Sequence, residues 1–467
     1  MATEVVIIRL SAIGDVVHAL PVAALLKQQV KDVRITWVVE PAASQLVLDN
    51  AAVNEVLIFP GKALLRAFHP FSRQQEKLSE SFQFMRALRS RHFDLAIDAQ
   101  GLFKSGVLAF LSGAPLRLGF KGAREFSDRL MTHLVDVGDY FGSSRHVVEH
   151  NLSLAQKAVE LLNGNASGVV PVEFPLPKIN EASALRVKEL LETALDRAPN
   201  VPPTVRSDRA PNLLSSPLST ATDIKSDRPD QEASRPLSSP EKEGGAGLLH
   251  PPGKSELPPN TESSPTTTSS LSIVSRPSPG AKAKLLGESS NGKESPRSLL
   301  VLIPSTTWPS KIWPADRWIG LARKLIEKTN YQILIVGGSQ DLHGNQAIER
   351  ELLSGTTGRV ANLTGRTSIV DLIALFNMTD LVIGADTGPL HIAAATGKPK
   401  VVGIFGSTPD KRNGPYGQQC WTIALGLSCQ PCFSKICPLG TTACLKEMSD
   451  QYVFDKLTEM VPLDSSG

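Results

Sequence analysis

Val5-Val6-Ile7-Ile8-Arg9-Leu10-Ser11-Ala12-Ile13-Gly14-Asp15-Val16-Val17-His18-Ala19-Leu20-Pro21 reads as a strand, a tight loop and a helix within its first seventeen positions. Val5 to Leu10 is a β-rich apolar run, Ser11 to Asp15 is small and polar, and Val16 to Val30 carries apolar residues at helical spacing. Further strands are predicted at Val33 to Val39, Val53 to Phe59 and Asp94 to Asp98, with a crossover helix around Phe82 to Arg89. A second block repeats the pattern: Leu299 to Ile303, a helix over Asp316 to Lys328, Tyr331 to Val336, a helix over Gly344 to Leu353, then Ile369 to Asn377, Leu381 to Ile383 and Val401 to Phe405. Strands alternating with helices predict mostly parallel sheets covered on both faces. The fold expected is α/β, two facing Rossmann-like domains, with ligands at the carboxyl ends of the strands.

The chain has 467 residues, 41% hydrophobic and 20% charged, with 49 Lys plus Arg against 46 Asp plus Glu. A formal charge of +3 does not drive nucleic-acid binding, and no stretch reaches the ~18 uninterrupted apolar residues of a membrane span. The N-terminal run lacks a basic region and a cleavage site, so it is expected to belong to the fold and not to a signal peptide. Five cysteines in so long a chain fit a reducing cytoplasm.

Composition changes between Pro199 and Arg297. Sixteen of the 34 prolines and 19 serines fall there, without one Phe, Trp or Tyr. A segment with so little apolar surface to offset chain entropy is expected to be disordered, a tether or a docking segment rich in Ser-Pro pairs. The expected organisation is an N-terminal Rossmann-like domain over 1–180, a disordered Pro/Ser-rich insertion and linker over 181–298, and a C-terminal Rossmann-like domain over 299–467.

Asp15 follows a turn at the start of a helix. It is either a residue stabilised by the helix dipole or a general base in an interdomain cleft. After Ile303, Ser305, Thr306 and Thr307 offer hydroxyls and Lys311 one positive charge. That is a setting for phosphate oxygens without the Walker glycines, or an ordinary Pro-rich loop. Asp386-Thr387-Gly388-Pro389-Leu390-His391 precedes the small-residue run Ile392 to Ala395 and reads as an anion-binding helix start. Asp386 would repel a phosphate, so it either orients the loop or accepts a bond from a sugar hydroxyl. Gly406-Ser407-Thr408-Pro409-Asp410 is a second loop of small residues and hydroxyls, and Gly337-Gly338 with Asp341 a weaker third.

Two other features stand apart. Lys62, Arg66, Arg73, Lys77, Arg86, Arg89 and Arg91 face only two glutamates between Gly61 and His92, which is either a solvated helix face or a surface for an anionic acceptor or membrane. Cys429, Cys432, Cys437 and Cys444 form a C-x2-C-x4-C-x6-C array, suited to zinc, to an iron–sulfur cluster, or to free thiols in a surface hairpin.

Ser11 to Pro21, Trp37-Val38-Val39-Glu40, Asp98-Ala99-Gln100-Gly101-Leu102-Phe103-Lys104-Ser105 and Asp386 to His391 together resemble the ADP-heptose:lipopolysaccharide heptosyltransferases, glycosyltransferase family nine, of GT-B fold. The first block most resembles the members that add the first heptose, while the cysteine array resembles one in other members, those that add the second heptose among them. The resemblance implies Asp15 as the base that deprotonates an acceptor hydroxyl for inverting attack. It implies Thr306, Thr307 and Lys311 as the holders of the donor pyrophosphate, with Ser305 beside them, and Asp386, Thr387, Gly388, Pro389, Leu390 and His391 as the grip on donor sugar and phosphates. It implies no metal at the leaving group and no cofactor. The partners expected are a nucleotide-diphosphate sugar and a lipid-linked oligosaccharide acceptor, without nucleic acid, for a cytoplasmic enzyme at the inner membrane surface. A nucleotide-sugar epimerase of similar fold and a non-catalytic sugar-nucleotide-binding assembly protein are the rival readings.

Overall fold

The computed structural model describes residues 2–61, 75–164, 171–195, 298–354 and 359–463, with backbone alone at 75–80 and 195. The Pro/Ser-rich insertion, Pro199 to Arg297, lies outside the described residues.

The first lobe holds six strands, β1 (Thr3–Ile8), β2 (Val33–Val39), β3 (Glu55–Ile58), β4 (Leu95–Asp98), β5 (Leu116–Phe120) and β6 (His133–Val135). The second holds β7 (Leu299–Ile303), β8 (Gln332–Ile335), β9 (Val360–Asn362), β10 (Leu381–Ala385), β11 (Lys400–Ile404) and β12 (Cys420–Ile423). Every pairing is parallel. The sheets run β3-β2-β1-β4-β5-β6 and β12-β11-β10-β7-β8-β9. Counted from its own first strand, each sheet has the order 3-2-1-4-5-6, so strand order reverses between β1 and β4 in one lobe and between β7 and β10 in the other. Crevices at the carboxyl ends of those pairs are where such sheets bind ligands.

Burial on both faces explains the near-continuous Val/Ile/Leu character of the central strands: Val5 to Ile8 and Leu300 to Leu302 are all fully buried. The helices of the first lobe are α1 (Ile13–Gln29), α2 (Gln75–Arg89), α3 (Phe103–Leu111), α4 (Val147–Asn163) and α5 (Glu181–Leu195). Those of the second are α6 (Ala315–Lys328), α7 (Leu342–Leu353), α8 (Ile369–Phe376) and α9 (Gly388–Thr396), followed by short α10 (Asp410–Asn413), α11 (Ala443–Lys446) and terminal α12 (Asp450–Met460). Unlike amphipathic α6, α1 is buried from Val16 through Leu26 on all sides. A helix apolar all round must be enclosed. Here α1 packs on α4 and on α9 of the other lobe, the two sheets belonging to one compact unit.

One expectation fails at a boundary. Residues 181–195, assigned from sequence to the disordered insertion and linker, form α5, whose Val187 and Leu191 are buried. This helix packs on α8 and β9 of the second lobe, with Arg186 Nε 3.6 Å from Asp371 Oδ2. Its apolar residues at helical spacing are interrupted by enough charge to resemble linker composition.

Candidate active site

The first crevice is built around Asp15. β1 ends at Ile8, and Asp15 falls at the third position of α1, where its Oδ2 accepts from the Ala12 N–H at 3.2 Å. Arg9 Nη2 lies 2.9 Å from Asp15 Oδ1, and Arg9 Nη1 donates to the Ala99 carbonyl after β4. Gln100 Oε1 accepts from the backbone N–H groups of Leu10 and Ser11, at 3.0 and 3.2 Å. Both loops at the reversal of the first sheet are therefore tied together, with one carboxylate, 38% exposed, held over them by a guanidinium that is itself buried. Asp98 is buried and accepts from Gln100 N, Gly101 N and Ser127 Oγ. Burial raises its pKa despite those bonds. It shapes the loop and does not face solvent.

The second crevice is built around Asp386, just past β10. Its Oδ2 lies 2.7 Å from Lys311 Nζ and accepts from Thr408 Oγ1 at 2.6 Å, while its Oδ1 is 3.3 Å from His391 Nε2. Thr306 Oγ1 donates to the Asp386 carbonyl. Burial alone would raise the Asp386 pKa, yet hydrogen bonding by His391 and the Lys311 charge more than offset it and hold the carboxyl below the usual range. Lys311 also lies 4.5 Å from the centroid of the Trp308 ring. Three strand-end loops, after β7, β10 and β11, thus converge on one buried carboxylate.

The expected donor-side residues fall in one place but in different settings. Ser305 donates to Asn345 Oδ1, and Thr307 is exposed. Thr387 stands before α9 with an extended backbone, Gly388 and Pro389 open its first turn, and Leu390 is wholly buried in the core with its N–H donating to the Thr387 carbonyl. Asp341 accepts from Gly338 N within its own turn. Of the basic stretch, Lys62, Arg66, Arg73 and the Lys77 side chain lie outside the described residues, while Arg91 pairs with Glu55.

The crevices meet at the N-termini of α1 and α9. A Cβ on Gly14 would sit 2.6 Å from His391 Cδ2, and one on Gly388 2.7 Å from Ile13 Cβ, so two glycines allow the helices to touch. His18 Nε2 lies 3.1 Å from His391 Nδ1. Burial, above all, depresses His18 well below its ordinary pKa, so the ring is neutral. One tautomer assignment serves both contacts: His18 Nε2–H donating to His391 Nδ1, and His391 Nε2–H donating to Asp386 Oδ1. His146, at the start of α4, adds a second bridge, accepting from Val148 N and donating through Nε2 to the Gly414 carbonyl at 2.9 Å. Burial lowers its pKa to about 4.

Residues absent from the sequence reading complete the cleft. Arg412 donates to the Tyr140 carbonyl across the lobes, at 3.3 Å. Its pKa is lowered by burial, and Asp15 and Arg9 both act on its charge. Arg9 carried one visible signal, a charge closing an otherwise apolar strand run. Arg412 carried none.

The four clustered cysteines line a cavity of about 170 Å³ with Ser310 and Ser407. Ser310 Oγ donates to the Ser434 carbonyl at 2.5 Å, and Phe433 N to the Ser407 carbonyl at 2.8 Å, so the hairpin buttresses the loops after β7 and β11. Among the described residues, no three or more His, Cys, Asp or Glu side chains are close enough together to hold a metal ion.

Residues 81–194 and 266–443 match the sequence model of Glycosyltransferase family 9 (heptosyltransferase). Lipooligosaccharide heptosyltransferase 2 of Campylobacter jejuni is 30% identical over 175 residues, 36% of this chain and 52% of the relative. The chain thus spans about half the length of that relative. Lipopolysaccharide heptosyltransferase 1 of Pseudomonas aeruginosa is 23% identical over 97% of this chain and 91% of its own. Among solved structures, the Escherichia coli ADP-heptose heptosyltransferase II superposes with a TM-score of 0.59 at 15% identity, covering 98% of both chains. The E. coli heptosyltransferase WaaC with ADP superposes with a TM-score of 0.58 at 17% identity, covering 98% of this chain and 100% of that one. At such identities the likeness is one of fold.

Proposed function

The chain belongs to glycosyltransferase family 9, with the two-lobed GT-B fold, and from that membership we propose an inverting, metal-independent glycosyltransferase that moves heptose or a related sugar from an ADP-sugar to the lipopolysaccharide inner core or a similar lipid-linked acceptor. One observation carries this reading. The reversal points of the two sheets abut where Gly14 and Gly388 let the N-termini of α1 and α9 touch, so that the exposed, anchored Asp15 carboxylate and the Lys311–Asp386 pair belong to two adjoining crevices.

In this mechanism Asp15 takes the proton of an acceptor hydroxyl. The acceptor oxygen then forms a bond to the anomeric carbon as that carbon's bond to the donor phosphate breaks, and attack from the opposite face inverts the centre. Arg9 holds the Asp15 carboxylate in place from a buried position. Negative charge grows on the departing diphosphate, where the Lys311 ammonium, the Gly388 N–H and the positive end of the α9 dipole can meet it. Asp386 keeps Lys311 aimed, its own oxygens occupied by Lys311, Thr408 and His391. Ser305, Thr306 and Thr307 border the diphosphate, and the second lobe is the donor side while the first takes the acceptor. The enzyme works at the cytoplasmic face of the inner membrane as a peripheral protein; among the described residues no helix is long and apolar enough to cross a membrane.

Incubation with ADP-heptose, UDP-glucose and GDP-mannose, each with and without a heptose-less lipid A–Kdo acceptor, tests the assignment. Nucleoside diphosphate release only from ADP-heptose, and only when the acceptor is present, is the expected result. Sugar conversion without any acceptor would overturn it in favour of an isomerising enzyme.

A further inference from the structure

α3 and the turn segment Arg124–Leu130 form an exposed face of the first lobe. Phe103 and Phe110, seven residues apart and so on one side of α3, are 55% and 54% exposed, and Phe126 is 66% exposed. The face is continuous. Phe103 N donates to Glu125 Oε2, and Gly106 of α3 packs on Ser127 and Leu130. Arg117 donates to the Leu130 carbonyl while lying over the Phe110 ring at 5.5 Å. Arg129 lies over Phe126 at 4.7 Å and Arg124 over Phe141 at 4.8 Å. Each of these exposed rings except Phe103 therefore carries an arginine. Lys104 and Lys121 pair with Glu40 and Asp136, whereas Arg117, Arg124 and Arg129 have no carboxylate partner among the described residues and outnumber the exposed Glu125 beside them.

The backbone here is unusual. Glu125 and Phe126 occupy the left-handed region in succession, with φ of 57° and 58°. That region is unfavourable for a bulky side chain, and such strain is retained where a conformation has a use. It presents Phe126 outward in place of a core position.

We propose that this aromatic–arginine face seats the protein on an anionic lipid bilayer, the rings entering the interfacial zone and Arg117, Arg124 and Arg129 meeting lipid phosphates. Amphipathic rings beside cations match the chemistry of that zone. The placement suits the chemistry too: Ser127 donates to Asp98, and the Asp98–Ser105 loop is tied to the Arg9–Asp15 pair. A lipid-linked sugar could reach Asp15 while its lipid stays in the membrane; this clause rests on the function proposed above.

Co-sedimentation of the full chain with phosphatidylcholine vesicles, with and without phosphatidylglycerol, tests the surface. Binding is expected only with phosphatidylglycerol and to weaken with salt. Phe110→Ser with Phe126→Asn should weaken it about tenfold, and Arg124→Glu with Arg129→Glu at least as much; asparagine tolerates the left-handed backbone. Both variants should keep wild-type turnover on a delipidated, water-soluble acceptor. Vesicle binding unchanged in the variants, or absent in the wild type, overturns the proposal, and in the latter case a protein partner becomes the occupant to seek. Failure of turnover on every acceptor with vesicle binding intact would instead count against the proposed reaction alone.

Discussion

His18 and His391, 373 positions apart in the chain, meet at 3.1 Å between Nε2 and Nδ1, both rings buried. Through that bond the helix bearing Asp15 is joined to the loop bearing Asp386, and through Asp386 to Lys311. One chain of polar contacts, His18–His391–Asp386–Lys311, therefore crosses from the first lobe to the second.

The two histidines should behave as a unit. His18→Ala and His391→Ala, with their double variant, are expected to show a coupling of about 0.5–3 kcal/mol in urea unfolding, and each single variant to lower kcat more than it raises the donor KM. Additive effects on stability would mean that the contact transmits nothing.

Lys311→Ala should weaken ADP binding, measured calorimetrically, and also destabilise the fold by about 3 kcal/mol, because Asp386 is left buried without its cation. Both side chains are largely enclosed, 13% and 7% exposed. Adding Asp386→Asn should restore stability without restoring ADP affinity. Recovery of both would point to a packing role for Lys311.

Acid should loosen the lobes before it affects carboxylates. Burial lowers the pKa values of His18, His146 and His150, the last two to about 4, from an ordinary 6.5. The unfolded chain therefore binds these protons first as pH falls. Their contribution to stability is full above pH 6.5 and is lost toward pH 4. Asp386, held low, adds the same trend at still lower pH. His146→Gln should flatten the stability–pH slope in this window by about 1 kcal/mol per pH unit, read from urea midpoints at stepped pH.

Gly388→Ala should separate α1 from α9, since its Cβ meets the Ile13 side chain at 2.7 Å. A loss of about 1–3 kcal/mol is expected, together with weaker donor binding. An unchanged thermal midpoint would show that the seam yields readily.

Much of the fold was legible because β7 is an unbroken apolar run, β1 and β2 end in the apolar runs Val5 to Ile8 and Trp37 to Val39, and α6 is strongly amphipathic. Strands β5, β6, β9 and β12 were not named from sequence: β6 and β9 are three residues each, and β5 carries Arg117 and Gly119 within five positions. Helix α4 was missed although Gly164, left-handed at its end, marks its stop. In the site, the strand-end loops were legible since parallel sheets place ligands there. The pairing of Lys311 with Asp386 and of His18 with His391 was not, because nothing local in a sequence encodes which distant loops meet. Arg9 illustrates the intermediate case: visible as a lone charge, but without a partner until β4 is seen beside β1.

Release of ADP from ADP-heptose in the presence of the lipid A–Kdo acceptor, for wild type and Asp15→Asn in parallel, tests the central claim most directly. A fall of about 10²–10⁴-fold in turnover, with ADP affinity unchanged, is the predicted result. Asp15→Asn turning over at the wild-type rate would contradict the account.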